Sequence, residues 1–99
     1  MIKVVWSKNA RNELVKITNY WSKRNKSKAY SNKIKFHIEI AINLIKRKPQ
    51  LGIRSNKQNI RMRLILKNYY LIYEIRKEEI RILQFWDVRQ NPIKITYDK

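Results

Sequence analysis

Two short stretches carry the side chains best suited to phosphate chemistry: "IRMRL" at residues 60–64 and "FWDVRQNP" at residues 85–92. In the first, Arg61 and Arg63 alternate with Ile60, Met62 and Leu64. A period of two puts both guanidinium groups on one strand face, where they can bracket a single phosphate. In the second, Arg89 stands two residues after Asp87, just past the last apolar run. Cutting a phosphodiester also requires a base and an acid. Tyr70 and Glu74 share one parity on the next apolar segment and are the candidates for those proton transfers; the ordinary role of Glu74 is a cross-strand ion pair. Arg54 and Lys57 precede the arginine pair in "IRSNKQNIRMR", the most concentrated basic patch of the chain and the stretch best placed to touch a partner's phosphates. His37, the single histidine, falls mid-helix on the flank of an apolar stripe, away from the arginine strand, and reads as a structural or surface residue.

Composition limits what these residues can serve. At 99 residues, 43% apolar and 11% aromatic, the chain suffices for one domain with one modest core. It has no cysteine, which removes disulfide scaffolds, cysteine-ligated zinc and thiol nucleophiles, and suits a reducing, cytoplasmic setting. No apolar run approaches the roughly 20 residues of a membrane helix, and Lys8 breaks any signal-peptide pattern. No metal or cofactor is expected. The 24 Lys and Arg against 7 Asp and Glu give a net charge of +17, a field that favours polyanions: nucleic acid or an acidic protein. Biased codon usage explains surplus lysine more readily than paired arginines.

Local patterns supply the elements that must position these groups. Residues 2–6 read as a first strand, and Ser7 stands where a helix cap belongs. Ala10, Leu14, Ile17 and Trp21 then follow one helical stripe, placing a helix from about Lys8 to about Lys23. The polar stretch "KRNKSK" interrupts it. Ser27 can cap a second helix carrying Tyr30, Ile34, Ile38, Ala41 and Ile45, which ends before Pro49. So short a loop makes the two helices an antiparallel hairpin. Three strands follow: about 60–65, 69–75 and 80–86, with turns at Lys67–Asn68 and residues 76–79. The last is apolar on both faces and therefore interior and covered. The fold class is α+β, in the order β-α-α-β-β-β, over residues 1–92, with 93–99 a tail whose Ile93, Ile95 and Tyr97 alternate. One sheet face backs onto the hairpin; the other is expected to gather Arg61, Arg63 and Arg89. Phe85 and Trp86 plug the core, and Asp87 and Pro92 shape the exit turn.

"KVVWS", "KNARNELVKI", "LKNYYLIYEI" and "ILQFWDVRQNP", in that order, resemble the RelE/ParE superfamily of toxins from bacterial type II toxin–antitoxin modules, also known as plasmid stabilisation proteins. The resemblance spans residues 3–92. It implies a small α+β toxin that inhibits growth and is neutralised by an acidic, partly disordered antitoxin. RelE-like members cleave messenger RNA on the ribosome, and ParE-like members inhibit DNA gyrase without nuclease chemistry. For the first activity the resemblance assigns Arg61, Arg63 and Arg89 to the transition-state phosphate, with Tyr70 or Glu74 assisting proton transfer. However, Tyr70 stands where those relatives carry an arginine, and their C-terminal catalytic tyrosine or histidine has no clear match here. The ParE-like activity is therefore placed ahead. A basic nucleic-acid-binding domain without toxicity is the third reading.

Overall fold

The structure, a computed structural model, describes residues 2–89. The tail at 93–99, Tyr97 included, and Pro92 of the exit turn lie outside the described residues. The elements are β1 (Lys3–Trp6), α1 (Lys8–Asn25), α2 (Ala29–Arg47), a 3-10 turn (Pro49–Leu51), β2 (Ile53–Arg54), β3 (Ile60–Ile65), β4 (Tyr69–Arg76) and β5 (Glu79–Asp87). The α+β order expected from sequence is therefore present, with the two-residue β2 as an additional edge strand. The five strands form one sheet in the order β1-β5-β4-β3-β2, in which only β1 and β5 run parallel. Among the described residues no helix is long and apolar enough to cross a membrane.

The helical hairpin is built by local rules. Ser7 caps α1, its Oγ accepting from Ala10 N–H at 3.0 Å. Lys26 ends the helix in the left-handed conformation (φ 50°), a position usually given to glycine. Ser27 does not act as the cap residue of α2: that position is Lys28, without a side-chain cap, although Ser27 Oγ accepts from Ala29 N–H at 3.1 Å. A polar seam joins the two helices. Ser31 Oγ donates to the Thr18 carbonyl at 2.6 Å and meets Ser22 Oγ at 2.7 Å.

Most of the core lies between this hairpin and the sheet. Ala10, Ile34, Ile38, Ala41 and Ile45 of the helices meet Ile65, Tyr69, Leu71, Tyr73, Ile80, Ile82 and Phe85 of the strands. A smaller cluster on the opposite face buries Ile60, Ile72 and Leu83, with Met62, Tyr70 and Trp86 against it. Phe85 is thus a core residue as expected, whereas Trp86 faces the other way. The turn after β3 relies on Leu66, at φ 58°, for its left-handed residue rather than on Asn68.

An irregularity in β5 ties the layers together. Ile72 pairs with Gln84 and Tyr73 with Ile82, so Leu83 is an extra, bulged residue. Its carbonyl accepts the Ser7 hydroxyl at 3.0 Å, and the nearby Phe85 N–H donates to Glu13 Oε1 at 2.9 Å. Burial raises the Glu13 pKa, and the Phe85 hydrogen bond partly opposes that rise. At the far edge, Arg61 and Tyr73 pin the chain around Gly52: Arg61 Nη1 donates to the Gln50 and Gly52 carbonyls at 2.8 and 2.9 Å, and Tyr73 Oη donates to the Pro49 carbonyl at 2.7 Å.

These contacts predict two mutational outcomes. A Cβ at Gly52 would collide with the Tyr73 hydroxyl and come within 3.0 Å of the Met62 carbonyl. Gly52→Ala is expected to lower unfolding stability by about 1–3 kcal/mol in urea titrations, and Tyr73→Phe in the same chain to recover part of the loss. Glu13→Ala strands the Phe85 N–H and should cost about 1–3 kcal/mol, whereas Glu13→Gln keeps an acceptor there. Because the folded pKa of Glu13 is raised, the folded state binds its proton more tightly than the unfolded state, and this group's contribution to stability falls as pH rises from the ordinary carboxylate range through the raised value. Glu13→Gln should therefore match or exceed the parent at neutral pH, and the gap should close as acid protonates Glu13.

Candidate functional site: a cationic aromatic cleft beside the last strand

β1 accompanies β5 only as far as Ile82, leaving residues 83–87 with α1 as their outer neighbour. A cleft of about 670 Å³ opens between them. Its helical wall is Glu13, Lys16, Ile17, Tyr20, Trp21 and Arg24, and its strand wall is Phe85, Trp86, Asp87 and Arg89. The helical residues recur at i, i+3, i+4, i+7, i+8 and i+11, so they form one face of α1.

Arg89 is the centre of this cleft. Its Nε and Nη2 donate to the two oxygens of Asp87, each at 3.1 Å, and Nη2 also donates to Tyr69 Oη at 3.1 Å. The guanidinium carbon lies 5.6 Å from the ring centres of both Trp21 and Tyr69. Trp21 Nε1 donates to the same Tyr69 oxygen at 2.8 Å. Hydrogen bonding to Asp87 raises the Arg89 pKa above its ordinary value, so the group is a fixed cation. Burial raises Tyr69 as well, against the opposing effects of Trp21 and Arg89, which keeps it a neutral hydroxyl. Arg24 lies 6.0 Å from the Trp21 ring centre and donates to Tyr20 Oη at 3.3 Å. Preset cations over aromatic faces suit a planar or anionic group on a partner. Arg89 nonetheless retains 45% side-chain exposure. Of the two carboxyls lining the cleft, Glu13 is committed to the Phe85 backbone and Asp87 to Arg89. Among the described residues no three His, Asp or Glu side chains come together as a metal site.

The structure separates the residues that the sequence suggested would act together. Arg61 and Arg63 share parity with Ile65 and pair with Tyr73 and Leu71, so they lie on the helix-backed face and not on the open one. The apolar residues of the same strand, Ile60 and Met62, take the open face. The expectation is inverted because the helix-side core already receives large residues from β4 and β5, while Ile72, Leu83 and Trp86 give the other face its own apolar cluster. Arg61 is spent on the chain around Gly52, with Nη2 on Gln50 Oε1 at 2.7 Å. Arg63 sits beside α2 in a second hollow, which His37 also lines. His37 is therefore next to the arginine strand, contrary to its expected remoteness. Arg89 belongs to α1 and β5, on the far side of the hairpin.

Tyr70 and Glu74 are on the open face, opposite Trp86 and Arg81 respectively. They stand four positions apart on β4, roughly 13 Å at 3.3 Å per residue. Glu74 pairs with Arg76 at 2.9 Å, and Arg76 reaches Glu79 at 3.8 Å. Arg54 lies opposite Arg61 and is exposed. Lys57 is exposed in the turn that Ser55 organises, donating its N–H to Ser55 Oγ at 3.0 Å. Sequence reasoning missed Lys16, Tyr20, Trp21 and Arg24 as a cleft wall. The helical spacing that unites them was visible, but only its apolar members were read.

Comparison with known proteins places this geometry. The family model described as the ParE toxin of the type II toxin–antitoxin system parDE matches residues 4–92. A search of curated proteins finds no match to the sequence. Solved structures share the fold at low identity. The chromosomal ParDE system from P. aeruginosa is 18% identical, with a TM-score of 0.67 over 89% of this chain and 97% of that one. The YoeB/ParE toxin from Agrobacterium tumefaciens is 15% identical, with a TM-score of 0.63 over 87% and 98%. The E. coli DinJ–YafQ complex contributes a chain 16% identical, with a TM-score of 0.55 over 88% and 93%. With a family match reaching from the first strand to just past Arg89, the chain belongs to the ParE toxins of type II toxin–antitoxin systems, within the RelE/ParE superfamily that its sequence resembles.

Proposed function

We propose that this toxin arrests growth by binding a nucleic-acid enzyme, with gyrase the first target to test, and that an acidic antitoxin neutralises it. The observation that carries the first part is the separation of groups across the sheet. Phosphodiester cleavage needs cations, a base and an acid around one phosphate. Arg61 and Arg63 lie on the helix-backed face, whereas Tyr70 and Glu74 lie on the open one. The Arg89 cleft, by contrast, is built before any partner arrives, which favours binding by contact.

The antitoxin follows from charge and kinship. A surface of +17 accelerates association with an acidic partner. The similar P. aeruginosa chain comes from a ParDE toxin–antitoxin system and the similar E. coli chain from a DinJ–YafQ complex. Arg54, Lys57 and Arg63 are the further cations assigned to partner binding.

Inducible expression in bacteria tests the proposal. Growth should stop while transcripts remain intact and plasmid supercoiling changes. Arg89→Ala, which removes a charge-assisted contact of about 1.5–3 kcal/mol, should weaken target binding roughly 10- to 100-fold and relieve the arrest. Codon-dependent transcript cuts that disappear in Arg61→Ala or Arg63→Ala would replace this reading with RelE-like cleavage. Normal growth at high expression would leave a basic nucleic-acid-binding domain, whose affinity falls steeply with salt.

A further inference from the structure

The sheet face turned away from the helices excludes water. On it Ile72 is 0% exposed and Leu83 3%, with Met62, Tyr70 and Trp86 packed around them. Sheet neighbours flank a side chain sideways but leave its tip open, so a dry sheet face needs a further layer against it. Among the described residues no helix lies over this face, since both pack on the other one. The Trp86 indole N–H is also shut off from solvent, with no hydrogen-bond partner among the described residues. Burial of this face is deepest near β5. Farther out, Leu64 of β3 is 46% exposed and Ile53 of β2 53%. The layer that excludes water therefore lies over β4 and β5, next to the point where the chain leaves the sheet.

We propose that this face is the docking surface for the chain's own C-terminal segment 93–97, which seats Ile93, Ile95 and Tyr97 on Tyr70, Ile72, Leu83 and Trp86. Pattern, reach and charge choose this occupant. Ile93, Ile95 and Tyr97 alternate with Lys94 and Thr96, so an extended segment offers three apolar side chains to the sheet and polar ones to water. The same period of two separates Tyr70 from Ile72 along β4, so successive apolar side chains of the segment meet successive rows of the sheet. β5 ends at Asp87, and Asn91 and Pro92 then supply residues suited to reversing the chain. Residues 90–99 reach roughly 33 Å when extended, well beyond the roughly 10 Å that two neighbouring strands occupy. A second copy of this chain would bring another +17 against the first. An acidic partner gains little here, because the cations at the margin, Arg76 and Arg81, are already paired with Glu74 and Glu79. The segment thus covers an apolar surface that would otherwise invite association. The inference stands apart from the proposed function and holds whether or not the chain arrests growth.

The chain has no cysteine, so Thr96→Cys provides a single site for a nitroxide label in the full-length protein. Thr96 belongs to the polar set of the segment, and its replacement leaves the three apolar side chains intact. Amide spectra should lose the signals of Tyr70, Ile72, Leu83 and Trp86 selectively, and reducing the nitroxide should restore them. Ile95→Asp in the labelled chain puts a charge where an apolar side chain is seated, and should bring the same signals back with the label still active. Ile95→Ala, a milder truncation, gives the second reading if the aspartate variant fails to fold. Signal loss centred on Tyr20 and Arg24 or on the β3 edge, loss spread evenly over the chain, or loss that persists in the folded variants would overturn the proposal. Mixing nitroxide-labelled chain with isotope-enriched unlabelled chain tests the second copy as occupant. Signal loss at these four amides in the mixture would overturn the intramolecular seat, and its absence would support it.

Discussion

The rest of the structure depends on how the end of β5 satisfies its backbone. A strand that outruns its parallel neighbour leaves N–H and C=O groups exposed on one edge, and burying such groups unpaired is costly. Here the bulge at Leu83 turns one carbonyl to the Ser7 hydroxyl, and the Phe85 N–H finds the Glu13 carboxylate. Ser7 is also the cap of α1 and donates its own N–H to the Ile82 carbonyl at 2.9 Å. One residue therefore ends β1, starts α1 and sets both against β5. Because Glu13 holds the same helix about two turns further on, α1 has little freedom to slide. Tyr20, Trp21 and Arg24 are then carried out beyond the covered part of β5, where they become a wall of the cleft.

The second constraint is a shortage of carboxylates. Seven acidic residues cannot pair with 24 cations, so the arginines that must be ordered use other acceptors. Arg61 binds two carbonyls and an amide oxygen around Gly52, and it serves as a clamp for the chain entering β2. Arg89 divides its donors between Asp87 and the Tyr69 hydroxyl and lies against two aromatic faces. Glu74 and Glu79 are drawn into a patch with Arg76 and Arg81 on the open face. Arg63 instead lies beside His37 in the hollow against α2.

The fold was legible because periodicity and caps act locally. The stripe from Ala10 to Trp21, the run from Ile34 to Ile45, and the position of Ser7 before the first helix and of Pro49 after the second all correspond to the observed elements. The site was less legible because parity does not state which face is which. Ile60 and Met62 alternate with Arg61 and Arg63, and it was natural to send the apolar set toward the helices. The sheet instead has two apolar faces, and the choice is settled by non-local packing of Tyr69, Leu71 and Tyr73 under the hairpin. The bulge compounds this by shifting the parity of β5 by one beyond Ile82, a change that no pattern within β5 announces. β2 is too short to carry any period.

The hairpin also determines what sort of partner can use the available cations. Arg63 lies outside α2 and Arg89 outside α1, with β4 and both helices between them. A compact acidic protein resting on either side would leave the other group of charges unopposed. An extended chain can follow the surface from the β3 edge to the β5 edge and meet both. Its ordering entropy is then offset by contacts gathered over a long path rather than at one patch. On this geometry an extended acidic segment, rather than a compact acidic body, is the form of partner best able to meet both groups of charges.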